Sequence, residues 1–263
     1  MRDKKSLRSE GTLAPLLVSV ALLFLARPAS ARPLEEIKKE GTIRVATEGT
    51  FAPFNFYQGK KLTGFEIDLV NEIARRLGVQ VAWRTLSFDS LLIGLNEDRY
   101  DLVAASHAVT EERSKAVDFI TPHYCSGAVI VSAGGRIRSL RDLEGKIAAA
   151  QVSSIYPAFL AKVPGIKEIK TLPKDADTIQ AVALGRADAA VTDRFAAFEI
   201  LKAQKNTKLG LGDVINPEKN AMAASKGNKS LRDAVENALL ELMRNGTYEK
   251  ISRKYFGEDI RCR

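Results

Sequence analysis

Strand-like and helix-like segments alternate along almost the whole chain. That alternation confines it to α/β architectures, with sheets buried between helices. Residues 42–47 alternate as a strand does, and Phe65, Leu69, Val70, Ile73 and Leu77 then recur at helical spacing. Gly78 stands where the left-handed residue after a helix belongs. A strand over 79–84, a short helix over 90–96 and a strand over 102–105 follow. After Phe119 the pattern restarts, with strands at 128–132, 145–150 and 187–193. Helical segments begin at 139 and cover 154–161 and 177–184. Leu231, Val235, Leu239 and Met243 mark one face of a long amphipathic helix over 230–245, and a second helix over 248–255 closes the chain. Two α/β blocks with a late return predict two lobes. Residues 32–124 with 222–263 would form lobe 1, and 125–221 lobe 2. The chain would cross between them near 124–128 and 218–222, leaving a cleft suited to a ligand and to hinge closure.

Residues 1–31 stand apart from that pattern. Arg2, Lys4, Lys5 and Arg8 precede a nearly unbroken apolar run over 13–26, and Ala29, Ser30 and Ala31 form a small-x-small cleavage site. Together they read as a secretory signal peptide, too short to span a bilayer of roughly 20 residues' depth. Its removal sheds five cations and two anions, taking the formal net charge from +8 to +5. With no basic cluster interleaved with aromatics, nothing points to nucleic acid. Export lets the two cysteines, Cys125 and Cys262, form a disulfide that ties the C-terminal tail to the segment after 121–124; two free thiols are the alternative. Two cysteines with His107 and His123 give no metal-ligand spacing, so no cofactor is expected.

The segment 101–119 carries the densest chemistry. A buried strand over 101–106 is followed by a short polar stretch that delivers Arg113 among small residues. A guanidinium at the rim of a sheet can hold a carboxylate by two parallel hydrogen bonds. A solvated arginine among glutamates is the plain alternative.

Six collinear strings bear on that choice: ATEGTFAPF (46–54), GFEIDL (64–69), SFDSL (87–91), TEER with VDF (110–119), ADAAVTD (187–193), and NGTYEKI with KYFG (245–257). In this order they resemble the polar amino-acid-binding proteins of bacterial ATP-driven importers, a family of periplasmic solute-binding proteins, over nearly all of 36–257. The resemblance implies a type II periplasmic-binding-protein fold: two mixed sheets flanked by helices, joined by a double hinge.

By that resemblance Arg113 corresponds to the arginine that grips an α-carboxylate, and Asp193 to the aspartate that accepts the α-ammonium. Cleft closure strips water from both charges of a zwitterion, and each then needs an opposite partner. Phe51 and Phe88 match rings that sandwich the ligand side chain, with core packing as their alternative. Phe54 reads as structural. Glu48 falls where an acidic residue meets the far end of that side chain, or else serves local backbone donors. Ser154 and Ile155 lie at the start of a helix, where relatives bring donors to the carboxylate, although 151–153 depart from the usual glycine-threonine pattern. Ala108 replaces a common Thr or Ser. Ser106 would share its face, with His107 pointing away into a structural hydrogen bond.

These readings imply a monomeric, periplasmic, non-enzymatic receptor for a free L-amino acid, delivering it to a membrane permease. Arginine is favoured, ahead of glutamine, lysine and histidine. The alternative on the same fold is a cyclohexadienyl dehydratase acting on prephenate or arogenate. The loop 151–157 carries no carboxylic acid for that role. A receptor's ligand-sensing domain is the third possibility; it would ordinarily continue into a membrane helix.

Overall fold

The computed structural model describes residues 31–203 and 208–262. The signal-peptide reading of 1–31 therefore lies, but for Ala31, outside the described residues. Among them, no helix is long and apolar enough to cross a membrane.

The chain opens with α1 (Leu34–Glu40), β1 (Thr42–Thr47) and a small antiparallel sheet of β2 (Thr50–Phe51), β3 (Asn55–Gln58) and β4 (Lys61–Thr63). There follow α2 (Phe65–Leu77), β5 (Gln80–Thr85), α3 (Phe88–Asn96), β6 (Leu102–Ala108), α4 (Glu111–Ala116) and β7 (Val117–Phe119). Next come β8 (Tyr124–Ala133), a 3-10 turn at Leu140–Leu143, β9 (Ile147–Gln151), α5 (Tyr156–Leu160), β10 (Glu168–Leu172) and α6 (Asp175–Ala183). The last elements are β11 (Ala189–Asp193), α7 (Arg194–Ala203), β12 (Leu209–Ser225), α8 (Lys229–Arg244) and α9 (Thr247–Phe256).

Two halves of the fold each bury both faces of a sheet, and strand periodicity divides the work. In the first half Val45, Leu102 and Ala104 face α2, α8 and α9, while Ala46, Val103 and Ala105 face α3. In the second, Ile130, Ala148, Ala150 and Val191 face α5, whereas Val129, Val131, Ala149 and Ala190 face α6. The two sheets are joined rather than separate. Strands β8 and β12 pair antiparallel from Leu209↔Ala133 to Asn220↔Tyr124. This makes one continuous order, β10-β9-β11-β8-β12-β6-β1-β5, with β7 also on β12.

The segments expected to cross between lobes thus run side by side, Glu218 opposite Ser126 and Asn216 opposite Ala128. Backbone pairing satisfies two passes of extended chain at once, which isolated crossings could not do. Cys125 and Cys262 are bonded, with Cα atoms 4.8 Å apart, and Cys125 N donates to Ile260 O, so the tail is fastened beside β8.

Candidate functional site

A cleft with about 370 Å³ of space, open solvent included, lies between the two halves. From the first half it is lined by Glu48, Phe51, Phe88, Ala105, Ser106, Ala108 and Arg113. Gln151, Ser154, Ile155, Tyr156, Asp175 and Glu218 complete it.

Arg113 sits in α4, a helix whose first turn is closed by Thr110, the Oγ1 accepting from Arg113 N at 3.1 Å. Its guanidinium is half-buried rather than solvated. Nη1 donates to Ala108 O at 2.9 Å and Nη2 to Ser153 O at 2.8 Å, a residue of the second half. Burial draws its pKa down from the usual value, opposed by nearby Glu218. The group remains a cation. It also lies 5.9 Å from the centre of the Phe88 ring.

Glu48 follows directly on β1 and is buried. Its Oε1 accepts from Thr50 Oγ1 at 2.8 Å and from Gln151 Nε2 at 2.9 Å. Burial pushes its pKa up to about 6, against those two hydrogen bonds. Phe51 stacks on Phe54 at 5.4 Å, and Phe54 continues into a cluster with Phe65, Tyr124, Phe195 and Phe256. Phe51 therefore joins the core behind it as well as the cavity. Phe88 stacks face to face on His107 at 4.4 Å. His107, expected to hold a structural hydrogen bond, has its Nδ1 without a partner. Burial holds that imidazole well below its ordinary pKa, so it backs Phe88 as a neutral ring.

Ser106 has φ +53°, a strained region for a serine. It is held there by Glu66, whose Oε1 accepts from Ser106 N at 2.7 Å and whose Oε2 accepts from its hydroxyl at 3.1 Å. Glu66 is fixed in turn by Asn55 Nδ2 at 2.7 Å and His123 Nε2 at 2.9 Å. Ala108 shares the cavity with Ser106, but its carbonyl is taken by Arg113. In the second half, Ser153 has φ +59°, the conformation a glycine would adopt there. The Ser154 hydroxyl donates to Gln151 O at 2.8 Å and accepts from Tyr156 N at 3.3 Å, so it closes its own loop. Ile155 supplies apolar wall ahead of α5, which starts two residues later than the sequence pattern implied.

Asp193 is brought near this group but not into the lining. At the end of β11 it is 2% exposed, and its Oδ1 accepts from Phe195 N at 2.8 Å and Ala196 N at 3.2 Å, capping α7. Burial raises its pKa to about 6.

Two carboxylates that sequence patterns did not single out do line the cavity. Glu218 on β12 is 7% exposed, with Oε2 accepting from Tyr156 OH at 3.3 Å and Oε1 unpartnered. Burial first, and Asp193 second, push its pKa up to about 8. Asp175 opens α6 and accepts from Thr192 Oγ1; burial raises it to about 7. A glutamate inside an expected crossing segment was the available clue to Glu218. Asp175 reads as an ordinary first-turn helix acid.

A family model described as bacterial extracellular solute-binding proteins, family 3, matches residues 43–258. L-cystine-binding protein TcyJ of Escherichia coli (strain K12) is 34% identical over 233 residues, covering 86% of this chain and 87% of that protein. Among solved structures, an ancestral arginine-binding protein bound to arginine aligns with TM-score 0.80 and 37% identity, over 82% of this chain and 99% of that one. The ancestral amino acid-binding protein AncCDT-1, a precursor of cyclohexadienyl dehydratase, aligns with TM-score 0.79 and 32% identity, over 85% of this chain and 99% of that one.

Proposed function

The chain belongs to the bacterial extracellular solute-binding proteins, family 3, and from that premise we propose that it captures an L-amino acid with a cationic side chain, arginine first, for an ATP-driven importer. The observation that carries this reading is the charge of the cavity. One guanidinium, Arg113, faces three lining carboxylates, Glu48, Asp175 and Glu218. A zwitterion uses one charge of each sign, which leaves carboxylates for a second cation. In a dry cleft that second cation gains several kcal/mol where it would gain about 1 in water.

In this reading Arg113 takes the α-carboxylate. The α-ammonium goes to the carboxylates gathered opposite it, Asp193 and Glu218. Phe51 and Phe88 bracket the side chain, Glu48 meets its far end, and Ser106, Ala108, Ser154 and Ile155 shape the wall. Residues 32–124 with 222–263 act as one lobe and 125–221 as the other, hinged where β8 and β12 run together. The protein works in the periplasm as a monomer that hands its ligand to a membrane permease, and it is not an enzyme. L-cystine is the second reading, supported by the similarity to TcyJ.

A thermal-shift screen of ligand-stripped protein against the standard amino acids and cystine tests this, because a ligand that binds the folded state raises the melting temperature. Arginine is expected to give the largest rise. No rise at millimolar concentration with any of them would overturn the assignment. Phenylpyruvate formed from prephenate would move the protein to the dehydratase class.

A further inference from the structure

The cleft has two chemically different ends. Arg113 and Glu218 act on each other through space, and Glu218 accepts from Tyr156 OH at 3.3 Å, which gathers one group of charges on the α5 side. Asp175 and Glu48 gather on the other. Among charged groups Glu48 acts most on Asp175, ahead of Asp193.

Strand alternation keeps the two ends apart. On β11, Val191 packs toward α5 and Ala190 toward α6, so Thr192 shares the face of Ala190 while Asp193 shares that of Val191. Thr192 Oγ1 donates to Asp175 Oδ2 and so holds this acid on the α6 side. Thr178 Oγ1 fixes its backbone, donating to Asp175 O at 2.7 Å. From the first half, Glu48 is drawn to the same corner by Gln151. Its Nε2 donates to Glu48 Oε1 at 2.9 Å and to Pro173 O at 3.2 Å, two residues before Asp175.

Asp175 is 2% exposed and lines the cavity, yet its Oδ1 has no hydrogen-bond partner. A buried carboxylate oxygen left so costs free energy until a donor reaches it. The neighbouring cation, Lys174, is exposed and borders the outer recess beside Glu48, outside the cavity lining. Two buried carboxylates that converge from opposite halves suit a donor with a fixed charge and several N–H groups. A guanidinium offers five such donors in a planar fork.

We propose that Asp175 is a specificity-determining residue: with Glu48 it forms a two-acid receptor, one acid from each half, for a guanidinium at the end of the ligand's side chain. This rests on the amino-acid reading above and adds the residue of the second half that reads the side chain. Because each acid belongs to a different half, selection of the side chain is completed only when the cleft is closed.

L-Citrulline carries a neutral urea in place of arginine's guanidinium at nearly the same size, so the two ligands isolate the terminal charge. Isothermal titration compares wild type with Asp175→Asn, which keeps an acceptor for Thr192. The variant should weaken arginine by about thirtyfold and change citrulline by less than about threefold. A loss of the same size for both ligands overturns the assignment, as does no loss for arginine.

Proton release from the wild type reads the same acid with no substitution. Burial raises Asp175 to about 7, and arginine arrives already charged. Titrated at pH 7 in buffers of different ionisation enthalpy, arginine should release more protons than citrulline; equal release overturns the assignment. Wild type that binds no amino acid removes the amino-acid reading and this inference together. Wild type that takes cystine but not arginine overturns this inference and leaves the amino-acid reading standing.

Discussion

Glu48, Asp175, Asp193 and Glu218 bring four carboxyl groups into or against one cleft, and burial raises each pKa, to about 6, 7, 6 and 8 respectively. In the unfolded chain these groups titrate near 4. Between that value and their folded values, the native state binds more protons than the unfolded one. The contribution of these four groups to the stability of the ligand-free protein therefore falls as pH rises from about 4 to about 8. Asp101, whose pKa is lowered by Arg32 and Arg44 against the pull of burial, and His107, kept neutral by burial, act in the opposite sense at acid pH. A cationic ligand reverses the balance, since ionised carboxylates bind it best. The expected outcome is a melting temperature that drops from pH 7 to pH 8 without ligand, where Asp175 and Glu218 ionise, while the shift given by arginine grows from pH 5 to pH 8. A ligand shift that is flat over that range counts against a carboxylate-rich binding surface. At Glu48 the corresponding change is Glu48→Gln. It should cost a cationic side chain about 2 kcal/mol, near thirtyfold, and a neutral one such as glutamine much less. Isothermal titration with both ligands reads the difference; equal losses would remove Glu48 from side-chain selection.

Helix α2 shows how an element positions a site it does not itself line. Its first turn carries Glu66, which holds Asn55, Ser106 and His123 together, so the helix must start at one place. Gly64 sets that start. Its φ is +131°, and a Cβ there would stand 2.2 Å from Phe54 O. Gly64→Ala should destabilise the fold by about 3 kcal/mol or more, through backbone strain and this clash together. Urea denaturation checks it, and a loss under 1 kcal/mol would show that the turn can shift.

Helices α2 and α8 were legible in the sequence, because their apolar residues repeat at helical spacing and a long stripe admits one reading. Strand β12 was not. Gly210, Gly212, Pro217 and Asn220 interrupt any alternation, and Leu209–Ser225 is extended because β8 on one side and β6 and β7 on the other supply its hydrogen bonds. The same reason hid part of the site. Arg113, Glu48, Phe51 and Phe88 belong to local strings that carry their own pattern. Glu218 reaches the cavity through pairing with residues about 90 positions away, which no local string records.

At the scale of the whole molecule, two hydrogen bonds join early and middle chain across the cavity: Gln151 Nε2 to Glu48 Oε1 and Arg113 Nη2 to Ser153 O. On one margin Glu48 also borders a recess with Thr85, Leu86 and Lys174, and on the other Arg113 borders a groove with Ser153 and Phe159. Each bond therefore borders a different surface recess. Phe195, packed against Phe54 and Phe256, adds an apolar contact between the halves. A ligand shifts an open–closed equilibrium only by what it adds to the closed form, so the closed form's own contacts between the halves set the balance from which it starts. Gln151→Ala removes one of the two bonds and leaves Glu48 buried with one fewer donor, which charges the closed form alone. Small-angle scattering should then give a larger radius of gyration for the ligand-free variant than for ligand-free wild type. Saturating arginine, by supplying its own donor to Glu48, should bring the two together. Identical ligand-free radii would mean that the Gln151–Glu48 bond lies outside the closure equilibrium, and that Arg113 with the Phe195 contact holds the halves in place.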